Sequence, residues 1–138
     1  MPTMFAPYKS QANAYSQVHI ETGVQDADPH QLVLLLLDGA LNAITMARSA
    51  MERGDIQAKG RAIGRAVSIV EEGLRGMLDM SAGGQVAATL HDLYSCVLLR
   101  LTRANVDNDP AMLRDCAALL SPLREAWQTI KPQRAAAA

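Results

Sequence analysis

The sequence predicts an all-α protein, an antiparallel four-helix bundle with an additional short N-terminal helix or segment. Three observations predict it. Apolar residues make up 49% of the chain but aromatics only 4%, a mix of Leu, Ala, Val, Ile and Met that suits packed helices better than sheets. Apolar positions recur at steps of three and four in four successive stretches. No strand-like alternation persists anywhere along the chain. A chain of 138 residues is the size of one domain with a real core.

Residues 1–24 are polar and weakly patterned. A short helix fits "SQANAYSQVHI", and the segment is expected to be mobile or conditionally docked. The bundle is expected over residues 25–131, and residues 132–138 read as a disordered tail. The first long helix opens at Asp28-Pro29. Asp28 can accept a hydrogen bond from backbone amides one turn on, and Pro29 stands at the first helical position, where its missing donor costs nothing. "RGD" breaks this helix at about Arg53. Asp55 can cap the second helix, expected to reach about Asp79. "SAGG" separates it from a third, from about Gln85 to Asn105. Asp109-Pro110 repeats the start signal, and the last helix runs to about Ile130 with a kink expected at Pro122.

Each helix carries a core stripe. The first has Val33, Leu37, Ala40, Ile44, Ala47 and Met51; the second has Ile63, Val67, Val70, Leu74 and Met77. The third has Val86, Leu90, Leu93, Val97 and Leu101; the fourth has Leu113, Cys116, Leu120, Leu123, Trp127 and Ile130. The first helix has a second seam through Leu32, Leu36, Gly39, Ala43, Met46 and Ala50. Its opening "LVLLLL" cannot face one core, because six helical residues sweep the whole circumference. If half of that run faces outward, covering it is worth roughly 4–9 kcal/mol, and a contiguous patch of that kind suggests a partner. The second helix holds Gly60, Gly64, Gly73 and Gly76, each costing about 1 kcal/mol against alanine. Close helix contact or useful flexibility would offset that.

Signals for chemistry are weak. No histidine stands three residues after a glutamate, and no cysteine pair has zinc spacing. His91 and Cys96 are badly spaced for contact on one helix face, and adjacent Glu71 and Glu72 point apart. The sequence therefore reads as a binding protein rather than an enzyme, with no cofactor and no metal. A formal net charge of −1 without basic runs argues against nucleic acid as a partner. The N-terminus lacks a secretory signal and "LVLLLL" is far shorter than a membrane span, so no membrane insertion and cytoplasmic residence are expected. Cys96 and Cys116 are expected as reduced, buried thiols.

The stretches "NAYSQVHIETGVQDADPHQLVLLLLDGAL" and "GGQVAATLHDLYSCVLLRLTRAN" resemble the FliS family, cytoplasmic chaperones of flagellin. The resemblance rests on the ordered set Asn-Ala-Tyr, Pro-x-x-Leu, Asp-Gly-Ala, Gly-Gly, Leu-Tyr and Ala-Asn, from Asn13 to about Trp127. Leu37 stands where such proteins often have tyrosine, and Asp28-Pro29 where they often have Ser-Pro. The resemblance implies a bundle that binds the disordered C-terminal segment of flagellin in apolar grooves. Binding prevents premature polymerisation in the cytosol and assists type III export. An export-gate component or co-chaperone is a further partner of that kind.

On this resemblance Leu32, Leu35, Leu36, Gly39 and Ala43 are expected to line one groove, with Leu90, Leu93, Tyr94 and Leu101 nearby. Tyr15 and Val18 are expected to plug it when no client is present, and Asp38 and Asn105 to cap or orient backbone groups. The alternative is a self-associating structural bundle, a homodimer through the spare stripe, without a flagellin client.

Overall fold

The structure, a computed structural model, describes residues 28–130. Within them the chain forms α1 (Pro29–Arg53), α2 (Ile56–Ser68), a π-helical continuation of α2 (Ile69–Arg75), α3 (Met80–Asp107) and α4 (Pro110–Thr129). The all-α expectation is met.

Every α-helix among the described residues starts on an aspartate. Asp28 accepts the Gln31 amide at 2.9 Å, Asp55 the Ala58 amide at 3.0 Å, Asp79 the Ala82 amide at 3.0 Å and Asp109 the Ala111 amide at 2.9 Å. Each such cap satisfies an orphan donor and contributes about 1 kcal/mol. α1 stops at Gly54, whose φ of 72° is left-handed and lets its N–H reach back to Ala50 and Met51. Asn108, with φ 51°, ends α3 in the same way.

Two boundaries differ from the sequence reading. α2 does not continue as an α-helix to Asp79. From Ile69 it loosens into a π-helix, closed by a bond of 3.0 Å from the Gly76 amide to the Glu71 carbonyl, five residues back. Asp79 caps α3 instead of ending α2. "SAGG" lies in the first turn of α3, and the chain then bends at Gly84, whose backbone (φ 57°, ψ −134°) is open only to glycine.

α1 packs on α2, on the π segment and on α4, while α3 packs on α4, on the π segment and on α2. The four helices therefore go round a square with α1 and α3 at opposite corners. Neighbours are antiparallel: Lys59 near the start of α2 bonds to Asn105 and Asn108 at the end of α3, and Asp38 near the start of α1 pairs with Arg124 near the end of α4.

This arrangement explains the apolar run. α1 is covered from two sides, so it needs two apolar faces. Leu36 and Leu37 are buried, and Leu32, Val33, Leu34 and Leu35 are half-buried. The second seam serves the α2 side: Ala43 and Ala50 are buried, and a Cβ on Gly39 would sit 3.3 Å from the Ile69 side chain. By length and composition α1 is apolar enough to cross a membrane. In this bundle seven of its residues, including Ala40, Ile44 and Ala47, are in the core.

The glycines of the second helix divide. A Cβ on Gly60 or Gly64 would meet nothing within 4 Å, so close helix contact does not account for them. Gly73 is buried, and a Cβ on Gly76 would collide with the Glu72 carbonyl oxygen.

Candidate functional site: an open apolar end of the bundle

The core stripes do not close at the end where α1 starts and α4 stops. Val86 is 69% exposed, Met77 and Ile130 are exposed, and Trp127 is half-buried, although all four continue core stripes. Among the described residues no further turn lies beyond these positions to cover them. There a cavity of about 360 Å³ opens among Val33 of α1, Leu74 and Met77 beside the π segment, Val86 and Leu90 of α3, and Trp127 of α4. Its lining is mostly apolar, as a protein-binding pocket requires. The bend at Gly84 brings the first turn of α3, with Ala82 and Gly83, to its rim.

One wall is held by a clasp between α1 and α4. The His30 ring stacks on Trp127 with centroids 5.5 Å apart and 14° between planes. His30 Nε2 donates to the Trp127 carbonyl at 2.6 Å, and Trp127 Nε1 donates to the His30 carbonyl at 3.2 Å. The Arg124 guanidinium below it donates to both oxygens of Asp38, at 2.7 and 3.4 Å. Asp38 thus ties α1 to α4. Asn105 serves a helix end, its carbonyl accepting Lys59 Nζ at 3.2 Å.

The expected groove residues are not all brought together. Leu36, Ala43, Tyr94 and Leu101 are in the buried core, covered by the bundle's own helices. Leu32, Leu35, Gly39, Leu90 and Leu93 are half-buried. Of the nine, only Leu90 and Tyr94 line the end cavity. α1 and α3 are diagonal, so their outer flanks do not form one surface groove. Tyr15 and Val18 lie outside the described residues. The sequence reading missed Pro29, Val33, Met77, Leu78, Val86 and Trp127 as cavity wall. The available signal was position: Val33, Met77 and Val86 are end members of core stripes, and Trp127 is the last but one of its stripe.

Electrostatics at the site are quiet. Burial pushes the Tyr94 hydroxyl up to about 12. The Ala82 amide bond, then the Ser81 hydroxyl, hold the Asp79 carboxyl below its usual value. Cys116 is buried and its thiol is pushed up to about 11 by that burial, while Cys96 is half-buried, not buried as expected; both are free. Cys96 accepts from Arg100 Nε at 3.3 Å. His91 faces Asp92 at 3.7 Å. Among the described residues no three His, Cys, Asp or Glu side chains gather to hold a metal ion.

By class the molecule is an all-α helical bundle with an apolar mouth at one end. The comparisons with known proteins give the particular family. The family described as flagellar protein FliS matches residues 11–134. The chain is 42% identical to the flagellar secretion chaperone FliS of Salmonella typhimurium over 120 residues, covering 87% of this chain and 89% of that one. It is 44% identical to the flagellar secretion chaperone FliSB of Pseudomonas aeruginosa over 116 residues (84% and 91% covered). It is 31% identical to FliS of Bacillus subtilis over 122 residues (88% and 86% covered). The chain belongs to the FliS family of flagellar proteins.

Proposed function

We propose that this chain is a cytosolic flagellar secretion chaperone that binds the disordered C-terminal segment of flagellin. The client folds into helices against the apolar end cavity and the half-exposed leucines beside it, Leu32, Leu34 and Leu35. Held there, it cannot polymerise before export. The observation that carries this reading is the open cavity, with a volume of about 360 Å³, into which the ends of the core stripes project. Helix-in-groove recognition needs such apolar anchors, and a client that orders on binding gives a long interface of modest net affinity. That suits a carrier that must release its cargo. Residues 1–24, with Tyr15 and Val18, occupy the site until a client displaces them.

Trp127 makes the test direct, since it is the single tryptophan of the chain and stands in the cavity wall. Titration with a peptide of the flagellin C-terminal segment should change its fluorescence and saturate at one equivalent, with a gain of helix by circular dichroism. Val86→Asp should weaken binding roughly tenfold or more at an unchanged melting temperature. A peptide that leaves both signals flat sinks the reading.

Self-association is the second reading. It is favoured by Leu99 and Val106, 64% and 76% exposed and two turns apart on the outward face of α3. Sedimentation of the isolated protein and of Leu99→Lys separates the two readings: a client-free carrier sediments as a monomer in both.

A further inference from the structure

A second cavity, of about 340 Å³, lies at the opposite end of the bundle, where α1 turns into α2 and α3 stops. Its wall is apolar on one side, through Ala50, Met51 and Ile56, and carries Lys59 and Asn108 on the other. Lys59 is the one charged side chain among the described residues that the bundle buries; it is 8% exposed. Its Nζ donates to the Asn105 carbonyl at 3.2 Å and to Asn108 Oδ1 at 3.1 Å. Both acceptors are neutral. They stand at the C-terminal end of α3, where a cation is favoured by the helix dipole. An ammonium has three donors, and these two bonds use two of them.

No carboxylate among the described residues pairs with Lys59. Asp55 also lines the cavity, but its Oδ1 is occupied by the Ala58 amide at 3.0 Å, and its charge offsets the start of α2 and faces Arg53 at 3.9 Å. A buried cation with neutral partners only is incompletely compensated, and a carboxylate brought to its free donor gains a charge-assisted hydrogen bond.

We propose that this cavity is a carboxylate-binding site that seats the C-terminal residue of the bound client, its side chain on Ala50, Met51 and Ile56 and its terminal carboxylate on Lys59. A chain terminus combines an anion with a side chain on the same carbon, which is the chemistry this cavity offers on its two walls. The assignment rests on the client reading above and adds to it where the client chain ends.

The test compares two forms of the flagellin C-terminal peptide, one with a free terminal carboxylate and one amidated, on the unmodified protein. Amidation should weaken binding roughly tenfold, as for loss of one charge-assisted bond. The difference should vanish in Lys59→Met, which keeps the apolar stem and removes the charge. Ile56→Glu, on an exposed wall residue, should weaken the free acid more than the amide and leaves the cap of α3 intact, so it answers if Lys59→Met fails to fold. Equal binding of acid and amide overturns the site. A difference that persists unchanged in both variants overturns its assignment to Lys59. If neither form of the peptide binds, it is the client reading that has failed.

Discussion

His30 and Trp127, 97 positions apart, are joined by two reciprocal hydrogen bonds and a ring stack. His30 Nε2 and Trp127 Nε1 each donate to the other residue's carbonyl. The pair locks the first turn of α1 to the last turn of α4 and holds one wall of the end cavity. Trp127→Phe keeps an aromatic surface but leaves the His30 carbonyl without its donor. The variant should lose about 1 kcal/mol in denaturant melts. His30→Ala combined with Trp127→Phe should cost less than the sum of the two, because the residues form one unit. Hydrogen exchange should quicken at this end and not around Lys59.

Gly64 and Gly76 should respond to alanine in opposite ways. Gly64 is helical and exposed, and its Cβ would meet nothing, so Gly64→Ala should stabilise by up to about 1 kcal/mol. At Gly76 the Cβ would collide with the Glu72 carbonyl, which is already part of the π turn. Gly76→Ala should destabilise and should lower the order of the turn leading into Asp79. Equal melting temperatures for the two variants would remove the steric account of Gly76.

Leu36 and Val86 separate core from mouth. Leu36 is buried with Ile44 and Leu74, so Leu36→Asp places a charge where no partner exists and should abolish folding. Val86 faces solvent at the cavity rim, and Val86→Asp should stay within about 0.5 kcal/mol of the parent in thermal melts.

Alkali should unfold the protein through two buried acids. Tyr94 is raised by burial from 10.0 to about 12, and Cys116 from 9.0 to about 11. Both are neutral in the fold, so the folded state binds more protons than the unfolded state above pH 9. Their contribution is complete below the unfolded values and is lost as pH rises, from about 9 to 11 for Cys116 and from about 10 to 12 for Tyr94. Cys116→Ala should flatten the lower part of the alkaline limb and Tyr94→Phe the upper part, as followed by denaturant midpoints across the range.

Much of this was open to a reader of the chain alone. The aspartate starts at Asp28, Asp55 and Asp109, the stop at Gly54 and the four stripes all follow from local chemistry: a carboxylate caps an amide one turn away, and a 3.6-residue period puts its apolar positions on one side. What periodicity cannot state is which neighbour a face meets. Leu36, Ala43, Tyr94 and Leu101 read as groove residues because an apolar side chain has the same spacing whether its cover is a permanent helix or a guest.

The chain's own pattern determined that four amphipathic helices would form and where most of them would begin. Only the tertiary structure decided that α1 sits diagonal to α3, that α2 relaxes into a π-helix from Ile69 to Arg75, that Asp79 opens a helix, and that Val86 and Trp127 edge an open mouth. The reason is physical. Helix formation answers to contacts within a few residues, whereas burial depends on what the rest of the bundle brings to the opposite side, and at the end of a stripe the described helices bring less than at its middle.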